Sequence, residues 1–188
     1  MKKLCLIILL AVFILPANAQ EKYQTSLLGG ISVVTEEGKT QGEVYLDLKE
    51  DGSLGLSLKK EQIAKFVDFL KSANDKFIEW DKVAKENAVQ ELRKEHKSIS
   101  LSGYFKYGKW KFGIATLIAK YTITKGVSSR YIFIPSFESS SNQFMKSKAH
   151  LFYVTDELIK EMENYLSDEA INAFVKSKTS ADDLFKND

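Results

Sequence analysis

The most chemically pointed stretch of the 188-residue chain is Phe105-Lys106-Tyr107-Gly108-Lys109-Trp110-Lys111-Phe112-Gly113. Rings and ammonium groups interleave there around a glycine. Aromatic rings stack on flat ligands and lysines pair with anions, so the chemistry on offer is recognition rather than bond-making. Gly108 marks a hairpin with two conceivable registers. A two-residue loop over Tyr107-Gly108 sets Lys106 against Lys109, which like-charge repulsion disfavours. A three-residue loop over Tyr107-Gly108-Lys109 pairs Lys106 with Trp110, Phe105 with Lys111 and Tyr104 with Phe112. The second register gathers Tyr104, Lys106, Trp110 and Phe112 on one face and lays a cation over the indole. The ordinary use of such a face is core packing against helices, with the lysines snorkelling outward, and this is the favoured expectation. Left open, the same face takes a sugar ring, a peptide or an anionic lipid headgroup.

Bond-making chemistry has thinner support. His96 and His150 lie far apart and belong to no HExxH-like spacing, so a metal centre or a Ser/His/Asp triad would need the fold to unite them. The expectation is therefore no metal and no cofactor. Glycoside hydrolysis needs two acids facing across a cleft. Glu79 and Asp81 flank Trp80 but point to different faces of a helix, Glu36-Glu37 is a turn, and no pair stands out. Ser139-Ser140-Ser141 lacks a nucleophile elbow, and Gly29-Gly30 lacks the lysine and helix of a phosphate loop. Trp80 lies outside the main helical stripe. It either widens the packed face or docks a partner, and packing is favoured because an exposed Trp costs solubility.

These residues must be positioned by strands and helices. Tyr23–Val34 is strand-like, Val44, Leu46 and Leu48 alternate with polar residues, and Asp51-Gly52 turns the chain into Leu54, Leu56 and Leu58. This predicts a meander of three antiparallel strands. Ile63, Phe66, Val67, Leu70, Phe77, Asp81 and Ala84 then follow helical spacing, with a cap at or near Ser57. Continued to Glu95 that helix would be unusually long, so a break is expected near Asn74-Asp75 or Asn87. Strands are expected to resume near Ser98 and to run through the aromatic stretch to Thr124. Lys125-Gly126 turns into a central strand, Arg130–Ile134, which Pro135 ends. Residues 136–148 read as a polar loop, His150–Val154 as a strand, and Asp156–Leu166 as a helix, with Ser167-Asp168-Glu169 opening a last helix.

The predicted fold class is α+β. Antiparallel β-sheet is covered by amphipathic helices in the order β-β-β-α-β-β-β-β-α. Leu58–Leu70 and Val154–Leu166 both pass from strand straight into helix with matching apolar positions. The single domain, 20–177, is therefore a candidate for two similar halves, 20–96 and 97–177, ahead of a flexible tail over 178–188.

The first 19 residues read as a secretory signal. Lys2 and Lys3 precede the apolar run Leu4–Leu15, and Ala17-Asn18-Ala19 supplies small residues for cleavage. The run is shorter than the roughly 20 residues a membrane-spanning helix needs, so no transmembrane span is expected after cleavage. The only cysteine, Cys5, leaves with the signal, and the mature chain has no thiol. Of the 27 Lys and Arg, Lys2 and Lys3 leave too, and the remainder balance the 25 Asp and Glu. A neutral surface argues against nucleic acid, whose phosphates demand a concentrated cationic face. The leading expectation is a non-catalytic extracytoplasmic binding or envelope-assembly protein. Its partner would be an envelope glycan, a peptide or a lipid, held at Tyr104, Lys106, Trp110 and Phe112. The alternatives are a hydrolase of cell-wall or carbohydrate polymers, and a protein-docking module that binds through Trp80.

Overall fold

The computed structural model describes residues 22–23, 30–34 and 43–173. The expected signal and the tail beyond residue 177 lie outside the described residues. Four short strands come first: β1 (Lys22–Tyr23), β2 (Gly30–Val34), β3 (Glu43–Asp47) and β4 (Leu54–Leu58). Each pairs antiparallel with the next, so the predicted meander is present, with β1 added at its edge. Val44, Leu46, Leu54, Leu56 and Leu58 are all buried on one side.

Helix α1 (Lys60–Glu86) is continuous. The break expected near Asn74-Asp75 is absent. Asn74 faces the core and its Nδ2 donates to Asp156 Oδ1 at 2.8 Å, so a tertiary contact holds the position most able to leave the helix. The helix stops at the other expected point. Asn87 Nδ2 donates to the Val83 carbonyl at 2.8 Å, and Ala88 turns left-handed at φ 49°. Ser57 does not cap the helix, because its hydroxyl donates to Glu43 within the sheet. Gln62 Oε1 accepts the Lys59 N–H instead, at 3.2 Å. Phe66, Phe69, Leu70 and Phe77 are at most 1% exposed, and each buried side chain contributes about 1.5–3 kcal/mol of transfer free energy.

Three strands follow: β5 (Glu91–Tyr107), β6 (Lys109–Thr124) and β7 (Val127–Ile134). Strand structure begins at Glu91, not near Ser98. The charged run Glu91–Glu95 carries no apolar period of its own, and its pairing with Lys120–Thr124 of β6 makes it a strand. A bulge interrupts that pairing: Glu95 faces Lys120, while Ser98 faces Ile118. The extra residue lets consecutive side chains turn towards α1. His96 meets the Trp80 ring at 6.2 Å, and the Lys97 ammonium sits 5.9 Å from the Phe69 ring.

The polar loop expected over 136–148 contains a small hairpin, β8 (Glu138–Ser139) and β9 (Asn142–Lys146). Its polar residues concealed it, because its only buried apolar side chain is that of Phe137, which meets Phe105 edge-on at 5.3 Å. β8 pairs with β6 at Gly113, and β10 (His150–Tyr153) pairs with β7. Helix α2 (Asp156–Tyr165) is capped by Thr155, whose Oγ1 accepts the Leu158 N–H at 3.1 Å. Residues 168–173 are helical as well, and the Ser167 hydroxyl accepts the Ala170 N–H.

The result is an α+β arrangement, mostly antiparallel sheet in the order β1-β2-β3-β4-β5-β6-β7-β10, with β8 and β9 branching from β6. Both helices contribute to one core. Along β6, alternate residues from Gly113 to Ile123 are buried in that core, so Trp110, Phe112, Ile114 and the even-numbered residues beyond them belong to the other side, here the outer face. Among the described residues no helix is long and apolar enough to cross a membrane.

Candidate binding face

The hairpin adopts the three-residue register. Lys106 pairs with Trp110, Phe105 with Lys111 and Tyr104 with Phe112, while Gly108 takes φ +65° in the turn. The Lys106 ammonium lies 5.9 Å from the Trp110 ring. Tyr104, Lys106, Trp110 and Phe112 therefore share one face, but that face is not the one the helices cover. The expectation that Tyr104, Trp110 and Phe112 pack against helices is corrected by strand parity. Gly113, Ala115 and Leu117 take the helix side, which leaves Trp110 51% exposed, Phe112 48% and Ile114 60%.

Tyr104 is the exception on this face at 4% exposed, and it organises the rest. Its ring lies over Gly55 of β4, where any Cβ would collide with it. Tyr45 of β3 flanks it at 5.5 Å, Trp110 meets it edge-on at 5.7 Å, and Phe112 stands 6.5 Å away. Its hydroxyl donates to Asp47 Oδ1. Burial first, and then that bond to a carboxylate, push the hydroxyl far above the usual tyrosine range, so Tyr104 remains a hydrogen-bond donor. Sequence reading missed Tyr45, Asp47 and Gly55 as parts of the site. The glycine between Leu54 and Leu56 was the available signal, since a glycine inside a strand marks a close approach.

The two carboxylates on this side of β3, Glu43 and Asp47, are both taken up by hydroxyls. Glu43 accepts from Tyr45 at 3.1 Å and from Ser57, and Asp47 accepts from Tyr104. Four strand residues separate them by ~13 Å, wider than the roughly 6.5–9.5 Å of an inverting glycosidase pair.

The remaining candidates are dispersed. Trp80 packs at the edge of the core against Phe77 and Tyr121, at 6.2 and 5.8 Å, and the Lys94 ammonium covers it at 5.0 Å. His96 lies beside it with Nε2 3.2 Å from the Ser72 hydroxyl. Burial, then the charges of Lys97 and Lys76, lower its pKa. His150 sits elsewhere, against the Leu48 backbone, and burial lowers its pKa also. Among the described residues no three His, Cys, Asp or Glu side chains are placed to hold a metal ion. Comparison with protein-family models, with curated proteins and with solved structures finds no match to this chain.

Proposed function

We propose that the chain is a non-catalytic, extracytoplasmic binding protein that holds an envelope glycan on the outer face of its sheet. The observation that carries this reading is the half-exposure of Trp110 and Phe112 beside a Tyr104 that is buried and locked to Asp47. A rigid ring beneath two presented rings is a stacking platform that needs no reorganisation to bind. The neighbouring Lys106, held over Trp110, supplies donors for hydroxyl or anionic groups at the platform's edge. A sugar ring matches this mixture of flat apolar surface and nearby donors. Export through the N-terminal signal would put the face in contact with such polymers.

The test uses a Trp80→Phe background, in which Trp110 is the sole tryptophan. Soluble envelope-type oligosaccharides should shift or quench its emission without being cleaved. Trp110→Ala, made in the wild-type chain, should weaken binding by about 2 kcal/mol, or ~30-fold in Kd, as loss of a central aromatic anchor does. Unchanged affinity in Trp110→Ala, or product release from the oligosaccharides, would refute the reading.

A further inference from the structure

The outer face continues beyond the aromatic platform and changes character. From Trp110 to Ile118 the outward residues of β6 are chiefly apolar, and then they become Lys120, Thr122 and Thr124. A cavity of about 490 Å³ opens at this end, lined by Arg93, Glu95, Lys120, Thr122, Thr124 and Tyr131, together with part of Lys94. The register sets these groups side by side. Arg93 is opposite Thr122, Glu95 is opposite Lys120, and Lys120 is opposite Tyr131. They share a face with Trp110, and twelve strand residues put Trp110 and Thr122 about 40 Å apart.

The charged groups differ in their engagements. Lys120 is held, with its ammonium 2.7 Å from Glu95 and 4.9 Å from the Phe133 ring. The Lys94 ammonium turns to the opposite side and covers Trp80. Glu91, opposite Thr124 in the ladder, accepts the Lys125 N–H at 3.1 Å. Arg93 has no ion-pair partner among the described residues, so its planar fork of donors faces a cavity walled by three hydroxyl side chains. A guanidinium fork suits an oxyanion held by two parallel hydrogen bonds, and surrounding hydroxyls suit a polyhydroxylated ring.

We infer that the glycan is acidic and elongated, with one oxyanion-bearing sugar seated at Arg93 while other rings of the same chain stack on Trp110 and Phe112. The inference rests on the glycan reading above and adds its charge and its reach. Carboxylate, sulfate and phosphate share the required chemistry.

Isothermal titration at low salt, with the full chain and oligosaccharides of matched length, tests it. The three probes are a neutral glucan, an oligouronate and a sulfated glucan. The expected result is that at least one acidic probe binds about tenfold tighter than the neutral one, on the order of one charge-assisted hydrogen bond. Which acidic probe wins identifies the oxyanion. Arg93→Ala should reduce that probe to the affinity of the neutral one and leave the neutral affinity unchanged. Arg93→Lys should recover only part of the preference, because an ammonium lacks the fork. Trp110→Ala should weaken acidic and neutral probes alike. Arg93 is exposed, so its variants are expected to fold, and an unchanged melting temperature checks this. Equal affinity for acidic and neutral probes, both sensitive to Trp110→Ala, would overturn the inference and leave the glycan reading standing. So would an acidic preference that survives Arg93→Ala. Binding of none of the probes would overturn both.

Discussion

Asp81 lies in the apolar stripe of α1 because Tyr121 of β6 and Arg130 of β7 meet it there. The Tyr121 hydroxyl donates to its Oδ1 at 2.5 Å and the Arg130 guanidinium to its Oδ2. Burial alone would raise the carboxyl's pKa. The hydrogen bonds from Tyr121, Arg130 and Ser128 outweigh it and hold the carboxyl below its ordinary range. Tyr121 is affected oppositely, since burial and the Asp81 carboxylate push it up to about 12. The two shifts predict stability losses at opposite ends of the pH scale. The part due to Asp81 is present above the ordinary aspartate pKa and is lost as pH falls through the depressed value. The part due to Tyr121 is present below the ordinary tyrosine pKa and is lost as pH rises through about 12. Urea midpoints measured from acid to alkali should fall at both ends, and Tyr121→Phe should flatten the alkaline limb. Arg130→Ala should cost about 3 kcal/mol at neutral pH, because it strands a buried carboxylate, and Arg130→Lys should restore part of that loss. That Asp81 falls within the helical stripe was legible in the sequence. Which strands would supply its partners was not, because that depends on non-local pairing.

Strand elements show a similar division. The turn at Gly108 and the pairing it sets could be read from local rules, since like charge and turn geometry act within nine residues. The side of the sheet that the helices would occupy could not, because each strand reads equally well with either face inward until its neighbours are fixed. The strand start at Glu91 was hidden for a related reason: Arg93 and Glu95 have no local pattern, and they become outward-facing only through β6. Two glycines separate these effects experimentally. At Gly108 an added Cβ meets nothing, so Gly108→Ala should cost only the backbone penalty, about 1–2 kcal/mol, and Gly108→Asn less. At Gly55 the Tyr104 ring and the Leu46 backbone carbonyl both occupy the space, so Gly55→Ala should cost at least about 1–3 kcal/mol by overpacking, of which removing the Tyr104 ring can relieve only a part. Combining Gly55→Ala with Tyr104→Ala should be less than additive, and denaturant melts of the four proteins measure the coupling.

For the whole molecule, composition and periodicity were enough to predict an α+β class, antiparallel sheet and two helices placed after their strands. They did not reveal the β8–β9 hairpin, whose buried apolar anchor is Phe137, or the cavity at Arg93, which the β5–β6 and β6–β7 ladders assemble together. Export also belongs to this scale. If the first 19 residues are a cleaved signal, intact-mass measurement of protein recovered from outside the cytoplasm should find Gln20 as the first residue, and a chain retaining Met1–Ala19 would exclude that processing.

One strand, β6, is shared between the core and the outer face: Ala115 and Leu117 are buried in the core and Gly113 lies against Phe137 and Glu138, while Trp110, Phe112 and Ile114 look outward. Backbone hydrogen bonds hold it between β5 on one edge and β7 and β8 on the other. Among the described residues this surface is a hydrogen-bonded sheet face with no flap over it, so capture and escape of a partner there should each be quick, and residence on any single molecule brief. Tight retention on a long chain would then come from several copies engaging it at once, which ties holding strength to local crowding of the protein rather than to refinement of one contact.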